Sequence, residues 1–311
     1  MLPIEIRAET PEDGAAIAAI NVQAFGERTG EALVVALMRQ TTHFDPELSL
    51  VTWSDGQPIG HALFSPQRVQ LFGETVPAVD LGPIAVLKAF QRQGVGERLI
   101  AEGHKRAQEK GATFCFLLGH PAYYPRFGYR QHAFGIASVA VSLRDLPQEP
   151  WEARAPVEAD VPALFELWQR AEGKVDFALE PGTQLLDWVS PNPAIRALVF
   201  AEGSDIVGYA RVAEPEPLKP RCFLARNGSV ARKMAGALGQ RVHAAPDARI
   251  VLPLHPFSSS ASAFDTPTAD TWAAAMIFSL RASALDRYYA AVQAGERPAG
   301  RPIWPVAFDL T

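Results

Sequence analysis

Apolar positions along the chain switch between a period of two and a period near 3.6, and the switches predict its elements. Residues 4–8 read as a short strand. An acidic start at Asp13 followed by Ile17 and Ile20 at helical spacing predicts a helix over 11–25, and a second helix is predicted over 30–40. Residues 48–53 and 58–64, turning at Ser54-Asp55-Gly56, predict a hairpin. A long apolar strand over 78–86, an amphipathic helix over 96–110 and a strand over 113–118 follow. A short turn or helix at 121–126 and a strand over 135–143 complete the series. Strands interleaved with helices and hairpins describe a mixed α/β sheet, not a uniformly parallel one.

The pattern then recurs. Glu5, Arg7, Ala8, Asp13, Ile17 and Ile20 are echoed at one constant offset by Glu152, Arg154, Ala155, Asp160, Leu164 and Leu167. Leu50, Val51, Ile59, Gly60 and Ala62 are echoed by Leu198, Val199, Val207, Gly208 and Ala210, so a second hairpin is predicted, turning at Gly203-Ser204-Asp205. An apolar run ending in His-Pro occurs at His120-Pro121 and again at His255-Pro256. Three echoes in one order argue for a tandem repeat with its join near 147–150. The expected units are 1–148 and 149–311, each a mixed, mostly antiparallel sheet flanked by helices.

Composition narrows the function classes. The chain has 311 residues, 48% hydrophobic and 20% charged, which suits a globular protein with a full core. A net charge of -5 with scattered Lys and Arg argues against a nucleic-acid partner. No apolar run approaches the ~20 residues a bilayer span needs, so no membrane partner is expected. The first residues lack a basic region followed by an apolar core, so no secretory signal is read there. Cys115 and Cys222 sit in apolar runs as buried thiols, and a cytoplasmic location is expected. The seven histidines show no paired spacing with each other or with cysteine, so no metal is expected.

The most informative segment is Gln91-Arg92-Gln93-Gly94-Val95-Gly96, between the strand 78–86 and the amphipathic helix. A strand, a glycine loop and a helix start in that order present unpartnered N–H groups and the positive end of the helix dipole. Such a point binds anions, and Gly94 and Gly96, lacking a Cβ, let oxygens approach the backbone. The loop resembles the Q/R-x-x-G-x-G/A loop of the GNAT superfamily of acyl-CoA N-acyltransferases, which holds the pyrophosphate of coenzyme A. The element order matches that fold over about residues 3–145 well, and over the second half in outline.

The resemblance implies acetyl-CoA lying between strands 78–86 and 113–118, which would splay apart. Gly82-Pro83 within the first agrees with a disturbed ladder. Backbone N–H groups of Ile84, Ala85 or Val86 would then polarise the thioester carbonyl, like an oxyanion hole. The run Tyr123-Tyr124-Pro125-Arg126-Phe127-Gly128-Tyr129 resembles the family's Y-x-x-x-G-F signature, with Tyr124 in the place of the acid that protonates the leaving thiolate. A phenol stays protonated at neutral pH and suits that role. The alternative for this run is an aromatic cluster packing a helix end onto the sheet.

For the general base, Asp80 is the first choice, because strand alternation would put it on the face of Gly82 and Ile84. A strand-end hydrogen-bond acceptor is an even alternative for it. Glu27 and Glu31 read as helix-start charges, and His120 as a turn residue ahead of proline. In the second half the corresponding loop, Arg226-Asn227-Gly228-Ser229-Val230-Ala231-Arg232, keeps a helix start but lacks the second glycine, and no tyrosine matches Tyr124. The expectation is one active unit and one degenerate unit, which shapes the substrate cleft or makes a homodimer interface. The expected reaction is direct acetyl transfer from acetyl-CoA to a small-molecule or peptide primary amine. A catalytically silent acyl-CoA-binding regulator, and a protein with a purely structural or interaction role, are the alternatives.

Overall fold

The computed structural model describes residues 3–310. In chain order the elements are β1 (Glu5–Ala8), α1 (Gly14–Ala24), α2 (Gly30–Met38), β2 (Ser49–Ser54), β3 (Gln57–Leu71), β4 (Glu74–Val86), α3 (Val95–Glu109), β5 (Phe114–Leu118) and β6 (Gly135–Ser142). They continue as β7 (Ala153–Arg154), α4 (Val161–Glu172), β8 (Ile195–Glu202), β9 (Asp205–Ala213), β10 (Cys222–Ala225), α5 (Gly228–Arg241), β11 (Arg249–Leu252), β12 (Thr268–Thr271), β13 (Ala275–Ser279) and α6 (Ala284–Gln293). The hairpin strand β3 runs to Leu71, well past the predicted end at 64, because β4 starts earlier and pairs with it throughout. Among the described residues no helix is long and apolar enough to cross a membrane.

The first sheet has the order β1-β2-β3-β4-β5-β13, antiparallel except for the β4–β5 pair. Helices cover both of its faces, which is why β2 and β3 are buried almost without interruption. On one face α3 buries Val95, Leu99, Ile100 and Ala107, at helical spacing, against Phe64, Val79 and Leu81. Gly103 is required there: a Cβ at this position would sit 2.0 Å from Cε2 of Phe64. On the other face α1 and α2 place Ile17, Val34, Val35 and Met38 over Val51 and Leu63.

The second sheet is β10-β9-β8-β7, all antiparallel, with α4 and α5 on its two faces. The echoed residues make matching contacts. Arg7 clasps Asp13 at 2.6 and 2.8 Å, and Arg154 clasps Asp160 at 2.5 and 2.8 Å. Each of these carboxylates also accepts a backbone N–H, from Thr10 and from Val157.

The halves exchange strands. β6 leaves the first sheet and lies between β11 and β12 in a third one. The edge of β5 that it leaves free is taken by β13, from Ala275 opposite Leu118 to Ser279 opposite Phe114. Phe114, Phe116, Phe134, Phe177 and Tyr288 fill the space between the halves, with Phe134 and Phe177 stacked at 4.6 Å. Truncating a fully buried phenylalanine costs about 3–5 kcal/mol. Phe116→Ala should therefore lower the urea midpoint by that equivalent. Because the halves share sheets, far-UV dichroism and tryptophan fluorescence should still report one coincident transition; two separated transitions would contradict the exchange.

Candidate active site

β4 and β5 pair over only three residues, Ala78 with Phe114, Val79 with Cys115 and Asp80 with Phe116. Beyond Asp80 they part, as the family resemblance implies. On its other edge β4 stays paired with β3, but the register shifts between Ala62 and Phe64, opposite Gly82-Pro83. Leu87 donates its N–H to Ile59 of β3 at 2.9 Å. Alternation then turns Ala85 to the same ladder and leaves the backbone groups of Ile84 and Val86 facing the opening. The Val86 carbonyl on that side accepts the Gln91 side-chain amide at 3.0 Å. Of the three expected backbone donors, Ile84 and Val86 are therefore available and Ala85 is engaged.

The bulge corrects the expected placement of Asp80. Phe64, Val79 and Leu81 pack on the α3 face, so Ser65 and its partner Asp80 lie on the α1–α2 face. The extra residue at Gly82-Pro83 reverses the alternation, and Ile84, opposite Ala62, packs with the α3 cluster. Asp80 and Ile84 thus point to opposite faces. Asp80 is 3% exposed, and burial pushes its carboxyl up to about 8.

Tyr124 begins a 3-10 turn, Tyr124–Phe127, that ends at Gly128 in the left-handed conformation, φ 86°. Its ring lies on Gly119 at the end of β5, where a Cβ would come within 2.2 Å of Cε2. Tyr129 and Tyr123 flank it edge-on at 5.6 and 5.1 Å. It belongs to the α3-side cluster, and burial raises its phenol above the ordinary value. Asp80 and Tyr124 therefore stand on the two sides of the opening between β4 and β5.

The glycine loop leads to the same opening. Gly94, φ 80°, is the residue before α3, and no side chain caps the helix. A Cβ at Gly94 would meet nothing within 4 Å. At Gly96 a Cβ would sit 2.5 Å from the Tyr123 hydroxyl, which therefore overhangs the helix start. Gln91, Arg92 and Gln93 are exposed, and the Gln93 amide folds back to the Ala89 carbonyl at 2.9 Å. Gln91, Arg92, Gly94, Val95 and Gly96 line one cleft of about 1780 Å³ together with Asp80, Ile84, Val86 and Tyr124. Ala85 and Gln93 do not line it.

Of the other base candidates, Glu31 and His120 border this cleft. Glu31 pairs with Arg28 at 3.3 Å, and His120 accepts the Ala122 N–H in its turn. Glu27 lies exposed in a left-handed turn, φ 63°. Among the described residues no cluster of His, Cys, Asp and Glu could hold a metal ion. Among the described residues the second half presents no comparable loop. A Cβ at Gly228, the first residue of α5, would sit 2.6 Å from the Ala263 Cβ, and the Ala261–Ala263 turn covers that helix start.

Sequence reading missed the cleft's far wall. Arg211, Arg221, Trp304, Phe308 and Asp309 of the second half all line it. Nothing local in their spacing signals a site, since the fold brings them to Asp80 from more than a hundred residues away.

The family described as "Acetyltransferase (GNAT) domain" matches residues 5–132. "Uncharacterized N-acetyltransferase YhbS" of Escherichia coli (strain K12) is 38% identical over 125 residues, taking in 40% of this chain and 72% of YhbS. The chain belongs to the GNAT acetyltransferase family. "Uncharacterized N-acetyltransferase YjhQ" of the same organism is 37% identical over 119 residues, so the chain spans 64% of its length and the match takes in 38% of the chain. The structure of YhbS from Escherichia coli in complex with CoA aligns at 36% identity over 42% of this chain and 71% of that one, with TM-score 0.37. The GCN5-related N-acetyltransferase from Kribbella flavida is similar in fold, covering 91% of this chain and 72% of that one at TM-score 0.71 and 16% identity. The GNAT family match ends at 132, before β6, where the strand exchange begins.

The raised carboxyl of Asp80 has a consequence for stability. It stays neutral in the folded chain up to about pH 8, while in the unfolded chain it ionises above about pH 4. Between those values the unfolded state binds fewer protons, so this group's contribution to stability is lost as pH rises. Asp80→Asn removes the dependence. Relative to the parent, its unfolding free energy should gain up to about 1.4 kcal/mol per pH unit across that window, read from urea midpoints. A difference that stays flat with pH would show that Asp80 ionises normally.

Proposed function

We propose that this chain is an acetyl-CoA-dependent N-acetyltransferase acting on a primary amine by direct attack in a ternary complex. The observation that carries the reading is the opening between β4 and β5, with Asp80 on one side and Tyr124 on the other. The open α3 start fits a pyrophosphate, because side chains leave Gly94 clear and Gly96 brings its backbone close beneath the Tyr123 hydroxyl. The CoA held by YhbS supports the same co-substrate here. When bound, acetyl-CoA supplies an activated thioester, and the chain's own residues do the rest.

The N–H groups of Ile84 and Val86 face the opening, where they donate to the carbonyl oxygen as charge develops on it. Asp80, ionised, takes a proton from the attacking amine on the α1–α2 side. The new N–C bond forms as the C–S bond breaks, and Tyr124 gives its phenolic proton to the departing sulfur on the α3 side. Both groups are shielded from bulk water, which strengthens each interaction. Residues 1–148 are read as the catalytic unit and 149–311 as a degenerate GNAT-like unit of a tandem arrangement. The matching Arg7–Asp13 and Arg154–Asp160 pairs and the covered start of α5 support that reading.

Calorimetry should find one acetyl-CoA site per chain, lost in Gly96→Glu, which adds bulk and negative charge under Tyr123. Tyr124→Phe should lower kcat by about a hundredfold or more while sparing acetyl-CoA binding. With amine below saturation, the rate should rise with pH through a midpoint near about 8 as the Asp80 carboxyl ionises and level off above it, and Asp80→Asn should lose that limb. Binding without CoA release with any amine would instead support a silent acyl-CoA-binding regulator. Two sites per chain would contradict a degenerate second unit.

A further inference from the structure

The wall of the cleft contributed by the second half carries chemistry that acetyl transfer does not use. Asp309 holds Arg211 at 3.0 Å through one oxygen and Arg221 at 3.3 Å through the other. Arg211 is buried and fixed further by the Trp304 carbonyl at 3.2 Å. Arg221 is different: 46% of its side chain is exposed, and its bond to Asp309 is the one hydrogen bond its guanidinium makes among the described residues. A guanidinium has five N–H donors, so most of this fork is open. Arg301, 5% exposed, also lines the cleft; it pairs with Glu172, and its Nε has no partner among the described residues. Glu216 on the same wall is matched by Lys219 at 2.6 Å. Four cations thus face three carboxylates, and the surplus charge sits with Arg221.

This wall adjoins Asp80. A Cβ at Gly82 would lie 3.9 Å from Asp80 Oδ2 and 3.9 Å from Cε1 of Phe308, and Asp309 is the next residue. Phe308 and Trp304, edge to face at 5.8 Å, form an apolar floor between the carboxyl and the guanidinium pair. The pair belongs to the α1–α2 side, whereas the start of α3 lies on the other side of the sheet, so a pyrophosphate held there does not account for it.

We infer that the acceptor is a small amine that also carries an anionic group, a carboxylate or a phosphate. Its amine lies at Asp80, and its anion is gripped by Arg221 beside Arg211. This rests on the acetyltransferase reading and names its substrate class. A planar guanidinium fork grips either anion with two hydrogen bonds. A protein N-terminus or a plain alkylamine brings no anion to the fork and leaves that attraction unmade.

The test uses matched pairs: phenylalanine against phenylalaninamide, and phosphoethanolamine against ethanolamine. Binding to the full chain is read by calorimetry without acetyl-CoA, and CoA release is then read with it. In at least one pair the anionic member should bind about tenfold or more tighter than its neutral partner, and the pair that does so tells carboxylate from phosphate. Arg221→Gln should collapse that ratio, and Arg221→Lys should restore part of it, since a point charge replaces the fork. Equal affinities within both pairs, no binding by any of the four, or an Arg221→Gln loss that falls equally on both members would overturn the inference. An anionic preference in a chain that does not bind acetyl-CoA would sink the acetyltransferase reading alone. Transfer to amines with no anionic preference would sink this inference and leave that reading standing.

Discussion

The separation of β4 from β5 is the constraint on which the rest of the molecule depends. A strand edge inside a sheet is an unfavourable place to leave backbone donors unpaired, because buried N–H and C=O groups cost free energy without partners. Here pairing stops after Asp80, and the unpaired edge opens onto a wide cleft where ligand or water can reach it. Holding two strands apart requires that each be fixed on its other side. β4 is fixed by its long ladder with β3, and β5 by β13. The strand that closes the first sheet comes from beyond residue 270, so the first half's opening is braced by the second.

The same dependence explains the aromatic layer. Phe116 pairs with Asp80 in the last β4–β5 contact, and its ring meets Phe134, Phe177 and Trp304 at 5.5 to 6.1 Å. Rings of this size bury large apolar areas and tolerate little displacement in a close-packed interior. Trp304 carries this layer onward to Phe308, which reaches the face of Asp80. The position of the splay and the shape of the cleft wall are therefore set by one continuous set of contacts.

Local features were legible in the sequence, and those made by distant chain were not. The glycine loop, the bare start of α3 and the aromatic run at Tyr124 each sit within a dozen residues, so spacing alone carries them. The hairpins were found because their turns are local. The exchange of β6 and β13 leaves no trace in periodicity, since an apolar alternating strand does not name its partner. The face of Asp80 was misjudged for a definite reason: Gly82-Pro83 signals a disturbed ladder, but not that one added residue would turn Ile84 over. Arg221 and Arg211 read as ordinary surface or core cations until the fold sets them around Asp309.

Asp80 concentrates the tension between stability and chemistry in this site. A carboxyl 3% exposed, without a hydrogen-bond partner among the described residues, favours its neutral form, whereas a base must be ionised. Among the described residues, Ser65, directly opposite in the β3–β4 register, has a buried hydroxyl with no partner, and Gln67 beyond it has both amide atoms unpartnered. Buried polar groups left unsatisfied beside a buried acid would be costly features in a purely structural sheet. They lie on the α1–α2 face, where the acceptor's amine is read to arrive. An incoming ammonium would supply the opposite charge that the pocket lacks and lower the carboxyl toward ionisation. Among the described residues Asp80 has no counter-ion, so in the proposed mechanism the substrate is the group that switches the base on.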